Sequence, residues 1–231
     1  MGQDILFEFI GTAILILFGA GVCANVKLKN TYGNNAGWIV ITIGWGLSVF
    51  VAAFISMPYS GAHLNPAVTI GLAVAGIFKG NIIGYIIAQF LGAMLGACLA
   101  FIMYKPHFDV EENPDVKLGV FCTGPAIKST FYNFMSEMIA TFALIFGVLM
   151  AAGAEIAGPL PIGLLIIAIG MALGGATGYA INPARDLGPR IAHFFLPIKG
   201  KRDSNWGYAW IPVVAPMVGC LLAGLLYLAV V

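Results

Sequence analysis

A chain of 231 residues that is 60% hydrophobic and only 9% charged lies far from soluble domains, where about a quarter of residues carry charge. With 11 Lys and Arg against 10 Asp and Glu, the net charge is +1, and the lone basic cluster, Lys199 to Arg202 (KGKR), reads as a solvated loop. Composition therefore excludes a nucleic-acid partner and makes the lipid bilayer the first partner of an integral membrane protein.

The first apolar run, Ile5 to Val26, is too long for a signal h-region and follows no basic residue, so no cleaved leader is expected. Gly37 to Ser56 is the second. It is followed by the interruption SGAHLNPAVTIG, Ser60 to Gly71. There Pro66 takes the first helical position, where a missing N–H costs nothing, and Asn65 takes the N-cap place. The run PAVTIGLAVAGIF that follows is about half a membrane long at 1.5 Å per residue. Asn81 to Tyr104 is the third run, and a more polar loop, 105–128, leads to the fourth, Ser129 to Gly153. The fifth, Pro161 to Ala176, is somewhat short; TGYAINPARDLG, Thr177 to Gly188, separates it from the sixth, Gly207 to Val231. Most approach the ~20 residues that cross the hydrocarbon core.

The chain is written twice. A shift of 117 residues lays Gly61 on Gly178, Asn65 on Asn182, Pro66 on Pro183, Ala67 on Ala184 and Gly71 on Gly188. The opening spans also correspond, EFIGTAILILFG (Glu8 to Gly19) with EMIATFALIFG (Glu137 to Gly147). Each half has three spans, an odd number, so the two enter the membrane from opposite sides as an inverted repeat. The expected fold is an all-α membrane protein of six transmembrane helices and two re-entrant half-helices. It forms one channel domain, 1–231, with repeats of about 1–104 and 129–231 joined by loop 105–128.

Residues Gly61 to Leu64 and Gly178 to Ile181 cannot all be helical, and irregular backbone at membrane depth survives only where it lines a cavity or is buried in protein. The carbonyls of Gly61, Ala62, His63, Gly178, Tyr179 and Ala180 are thus expected to bind permeating hydroxyls or waters. Glu8 and Glu137 are equivalent in the two repeats. That favours a structural task, accepting N–H bonds from the re-entrant loops, over proton relay. Gln89 is polar in lipid surroundings and is a candidate for bonds across helices. Small residues four apart, Gly84, Ala88, Gly92 and Gly96 in the third span and Gly170, Gly174 and Gly178 in the fifth, suit close helix approach. Cysteines 23, 98, 122 and 220 and histidines 63, 107 and 193 show no ligand spacing, so neither a metal site nor a structural disulfide is expected.

Two Asn-Pro-Ala boxes at this spacing, SGAHLNPAVT around the first and Arg185 after the second, give a chain that resembles the major intrinsic proteins over essentially its whole length. These are the aquaporins and glycerol facilitators. NPARD resembles the glycerol-facilitator branch, because water-selective members usually carry Ser where Asp186 stands; Pro212 and Val213 likewise replace aromatics. The resemblance implies a selectivity filter of Trp45, Gly170, Tyr179 and Arg185. Aromatics would cradle the CH side of a polyol while Arg185 and the carbonyls bond its hydroxyls, and Gly170 stands where water-selective members usually have His. Tyr179 departs from the Phe common in this branch; its hydroxyl is expected to turn aside and bond backbone, with Gly170 giving the ring room. Loops 105–128 and 195–206 are also shorter than is common in the branch.

What the resemblance implies is a passive channel for glycerol, other small neutral polyols and water that excludes ions and protons. No enzyme activity or cofactor is implied. A predominantly water-selective aquaporin is the alternative, and a coupled secondary transporter the rival of another class. The resemblance also implies a homotetramer in the cell membrane, with cytoplasmic termini. Loop charge points the other way. With both termini inside, only Lys79 faces the cytoplasm, and Lys27, Lys29, Lys105, Lys117, Lys128, Lys199, Lys201 and Arg202 lie outside, against the usual bias.

Overall fold

The structure, a computed structural model, describes residues 2–153 and 158–231, and these form helices joined by turns and loops. In chain order the helices are α1 (Gln3–Lys27), α2 (Trp38–Ser60), α3 (Pro66–Val74), α4 (Ile82–Val110), α5 (Pro114–Phe121), α6 (Thr130–Gly153), α7 (Leu160–Ala172), α8 (Pro183–Phe195) and α9 (Ile211–Val230). Helices α1, α2, α4, α6 and α9 are long and apolar enough to cross a membrane, while the apolar α7 has 13 residues. These six stand where the six apolar runs predict spans, and α3 and α8 are the two half-helices.

Several boundaries differ from expectation: α2 runs past Ser56 to Ser60, and α3 stops at Val74 rather than Phe78. Helix α4 continues past Tyr104 to Val110, α7 stops at Ala172 rather than Ala176, and α9 begins at Ile211 rather than Gly207. Helix α5, inside the loop of 105–128, is unexpected. Its start nonetheless follows the Asn-Pro rule: Asn113 accepts a hydrogen bond from Asp115 N–H at 2.9 Å, and Pro114 opens the helix.

The inverted repeat shows in which helices meet. Helix α1 packs on α2 and α4, as α6 packs on α7 and α9. Each half-helix crosses over: α3 lies against α9, and α8 against α4. Glycines allow the closest crossings. A Cβ on Gly92 of α4 would stand 2.3 Å from the Phe9 carbonyl of α1, and one on Gly219 of α9 would stand 2.5 Å from that of Met138 on α6.

Candidate functional site

The two half-helices begin head to head at the centre of the molecule. Each starts at Pro after an Asn cap whose side chain folds back, Asn65 Oδ1 accepting from Ala67 N–H at 2.9 Å and Asn182 Oδ1 from Ala184 and Arg185 N–H at 3.0 and 3.1 Å. The remaining end of each amide crosses to the other repeat. Asn65 Nδ2 donates to the Ile181 carbonyl and Asn182 Nδ2 to the Leu64 carbonyl, both at 2.9 Å. Each Asn thus caps its own helix and latches the opposite loop. With Pro66, Pro183, Ala67 and Ala184 buried around them, the two helix N-termini are held together.

The loops leading to these caps share one backbone course. Gly61, Ala62 and Leu64 have φ of 78°, 54° and 51°; Gly178, Tyr179 and Ile181 have 82°, 39° and 42°. A left-handed residue that is not glycine costs about 1–3 kcal/mol and persists only when its surroundings over-determine it. Here the two buried carboxylates do so. Glu8 accepts from His63 N–H (2.9 Å), Leu64 N–H (2.7 Å), Ser60 Oγ (2.7 Å) and Gln89 Nε2 (2.7 Å). Glu137 accepts from Ala180 N–H (3.0 Å) and Ile181 N–H (2.9 Å). With their N–H groups drawn outward, these residues direct carbonyls the other way. Gln89 extends the first cluster by donating also to Thr69 Oγ1 at 2.9 Å.

A cavity of about 210 Å³ runs past both loops. Its walls divide by element: α2, α6 and α7 supply apolar side chains such as Val49, Ala53, Leu144, Val148 and Ile166, while the loops supply Gly61 to Asn65, Tyr179 to Asn182 and Arg185. Of the six residues expected to offer carbonyls, Gly61, Ala62, His63, Tyr179 and Ala180 line this cavity. Gly178 does not. Leu64 and Ile181 line it as well, yet their carbonyls hold the Asn amides.

At one level of the cavity Arg185 lies over Trp45, its guanidinium carbon 3.8 Å from the ring centroid. Among the described residues its guanidinium makes one hydrogen bond, to the Phe121 carbonyl at 3.2 Å, and four of its five donors have no acceptor there. Tyr179 is brought to the same place, but among the described residues its buried hydroxyl has no partner and is not bonded to backbone. The Gly170 carbonyl is occupied, because Trp38 Nε1 donates to it at 3.1 Å. Gly170 itself does not line the cavity; the Tyr179 ring fills its missing side chain, and a Cβ there would stand 2.8 Å from Cζ. Gly174 forms the rest of the same shelf, 2.4 Å from Cδ1 by the same measure. Gly170 and Gly174 thus seat the Tyr179 ring, and Gly170 also lets α2 approach, its Cβ position standing 2.9 Å from Thr42 Cγ2.

The comparisons with known proteins agree with this geometry. Residues 1–227 match the family described as Major intrinsic protein. The chain belongs to the major intrinsic protein family. It is 52% identical to a probable glycerol uptake facilitator protein of Thermotoga maritima, with 96% of this chain and 97% of that protein aligned. It is 55% identical to the glycerol uptake facilitator protein of Bacillus subtilis, over 95% and 82%. Among solved structures, the aquaglyceroporin from Plasmodium falciparum superposes with a TM-score of 0.86 at 33% identity, covering 99% of this chain and 96% of that one. This major intrinsic protein is accordingly a multi-pass cell membrane protein, a transporter and not an enzyme.

In this family member a folded layer beside α8 holds Arg185, and composition and motif gave little sign of it. Asp186 and Arg190 form a fully buried ion pair at 2.7 Å. Asp186 also accepts from Thr123 N–H and Oγ1, both at 2.7 Å, while Arg190 donates to the carbonyls of Ser204 (2.7 Å) and Thr123 (2.9 Å). The segment after α5 is thereby fixed, including Phe121, which takes the Arg185 bond. Lys201 donates to the carbonyls of His193, Phe194 and Leu196 at 2.7 Å each, capping the C-terminus of α8. Lys117 reaches the Lys199 carbonyl, and Arg202 pairs with Asp115 and Asp203. Hydrogen bonding to Arg202 holds the exposed Asp203 carboxyl below the usual carboxylate range. The basic run 199–202 is thus a set of ties, not only a solvated loop. Among the described residues all four cysteines are free.

Proposed function

We propose that the chain is a passive channel for glycerol and other small neutral polyols, with water as a second permeant. The observation that carries this reading is the division of the cavity walls, apolar along α2, α6 and α7 and polar along the two loops and Arg185. A polyol has the same two faces, so it can enter without leaving hydroxyls unpaired. Trp45, Tyr179 and Arg185 form the selectivity filter, and Gly170 acts in it by seating the tyrosine. Asp186 marks the branch by anchoring the layer that holds Arg185. The names of the similar bacterial facilitators support glycerol as the solute.

Ions and protons are excluded. The paired half-helix N-termini each present about half a positive charge, Arg185 adds a full one, and an ion gains too little in the cavity to offset its lost hydration. The chain is read as one channel domain of two repeats, 1–104 and 129–231, and as a homotetramer with a pore in each subunit. Stopped-flow light scattering on proteoliposomes tests the solute, comparing water, glycerol, erythritol and urea. Non-saturating glycerol flux is expected; saturation would indicate a carrier, and water flux without glycerol flux a water-selective channel. Both termini are cytoplasmic in this reading despite the loop lysines, since packing of two inverted halves constrains topology more than loop charge does. A C-terminal reporter active only on the outer face would reverse that assignment.

A further inference from the structure

Trp45 is a large ring with one polar atom, and both are held from behind by α1. We infer that Gly19 and Cys23 form a seat that positions Trp45 and thereby helps set the glycerol-to-water preference of the filter; this rests on the channel reading above. The two residues are four apart and share a face of α1. A Cβ on Gly19 would stand 2.2 Å from Cζ3 and 2.3 Å from Cη2 of Trp45, so the ring lies directly on the glycine. Cys23, 3% exposed, accepts the indole N–H on its sulfur at 3.4 Å.

Indole has a single donor and no acceptor. Because that donor is spent on Cys23, the ring offers carbon alone to the lumen and its face to Arg185 at 3.8 Å. A carbon wall suits the CH side of a polyol and gives water nothing to bond. If the sulfur were removed, the N–H would have to find another acceptor, and the lumen supplies one in any passing water. A donor turned inward favours water over glycerol. Cys23 is thus a positioning residue, acting through Trp45 without touching the solute.

The test measures glycerol and water permeability of the same proteoliposome preparations and takes their ratio. After the flux of protein-free vesicles is subtracted from each, misfolding lowers both channel fluxes together and leaves their ratio unchanged, so the ratio reports the filter alone. Cys23→Ala is expected to lower the glycerol-to-water ratio about fivefold, about 1 kcal/mol in barrier terms. Cys23→Ser, which keeps an acceptor at the same place, is expected to restore the ratio to within about twofold of the parent, under ~0.5 kcal/mol on the same scale. Gly19→Ala, which pushes the ring off its seat toward the lumen, is expected to lower glycerol flux more than water flux. Parental ratios in both alanine variants, with glycerol flux intact, would overturn the seat while leaving the channel standing. Absence of glycerol flux through the unsubstituted chain would overturn both.

Discussion

Tyr179 combines a left-handed backbone, φ 39°, with a hydroxyl that is buried and has no partner among the described residues. The backbone strain is held by bonds to its neighbours, since Glu137 takes the N–H groups of Ala180 and Ile181. The ring is held by the Gly170 and Gly174 shelf and by Trp38, which meets it edge-on at 5.8 Å and 82°. None of these contacts uses the hydroxyl. A buried, unsatisfied hydroxyl costs about 1–3 kcal/mol, so Tyr179→Phe is expected to leave thermal stability in detergent unchanged or raised. Its effect on glycerol permeability should stay below about threefold, ~0.7 kcal/mol in barrier terms, because the oxygen is shielded from the lumen. Stopped-flow measurement at equal protein per vesicle decides it. A rise of about tenfold or more, ~1.4 kcal/mol, would mean that the hydroxyl obstructs the filter and that the parent is chiefly a water channel.

At the scale of helices and loops, what sequence reveals is what a few adjacent residues dictate. Asn-Pro-Ala predicts a helix start because Pro at the first position and Asn at the cap act within one turn, and α3 and α8 begin at those prolines. Helix α5 obeys the same rule at Asn113-Pro114; the signal was present but lay outside the duplicated motif. The early stop of α7 is less legible. It leaves Gly174 in a turn beneath Tyr179, a demand set by a ring five residues later. Glu8 and Glu137 could be read as loop acceptors only because the repeat equates them; neither spacing nor charge alone leads from Glu8 to His63, 55 residues away. The layer around Arg190 joins Thr123, Asp186 and Ser204 from three separate segments. No local pattern encodes such a meeting, and residues that read as loop charge prove to be its ties.

For the whole molecule, the crossing of each half-helix into the other repeat has a consequence for assembly. Because α3 packs on α9 and α8 on α4, neither repeat can form its share of the cavity alone, and the Asn65 and Asn182 latches close only when both halves of one chain are folded. The cavity is lined by residues of a single chain, from Leu15 on α1 to Arg185 on α8. On the proposed reading of one pore in each subunit, subunit contacts contribute no wall to it. A blocking substitution should silence its own subunit and no other. Val49 lines the lumen from α2, and Val49→Trp places an indole where a small side chain stood. When blocked and parental chains are co-expressed in graded proportions and reconstituted together, glycerol flux per total protein is expected to fall in direct proportion to the blocked fraction. A pore shared among four subunits would instead make flux fall steeply, roughly as the fourth power of the parental fraction in a fourfold ring. A curve of that shape would show that the conducting path lies between chains, and would move the filter of Trp45, Tyr179 and Arg185 out of the permeation route.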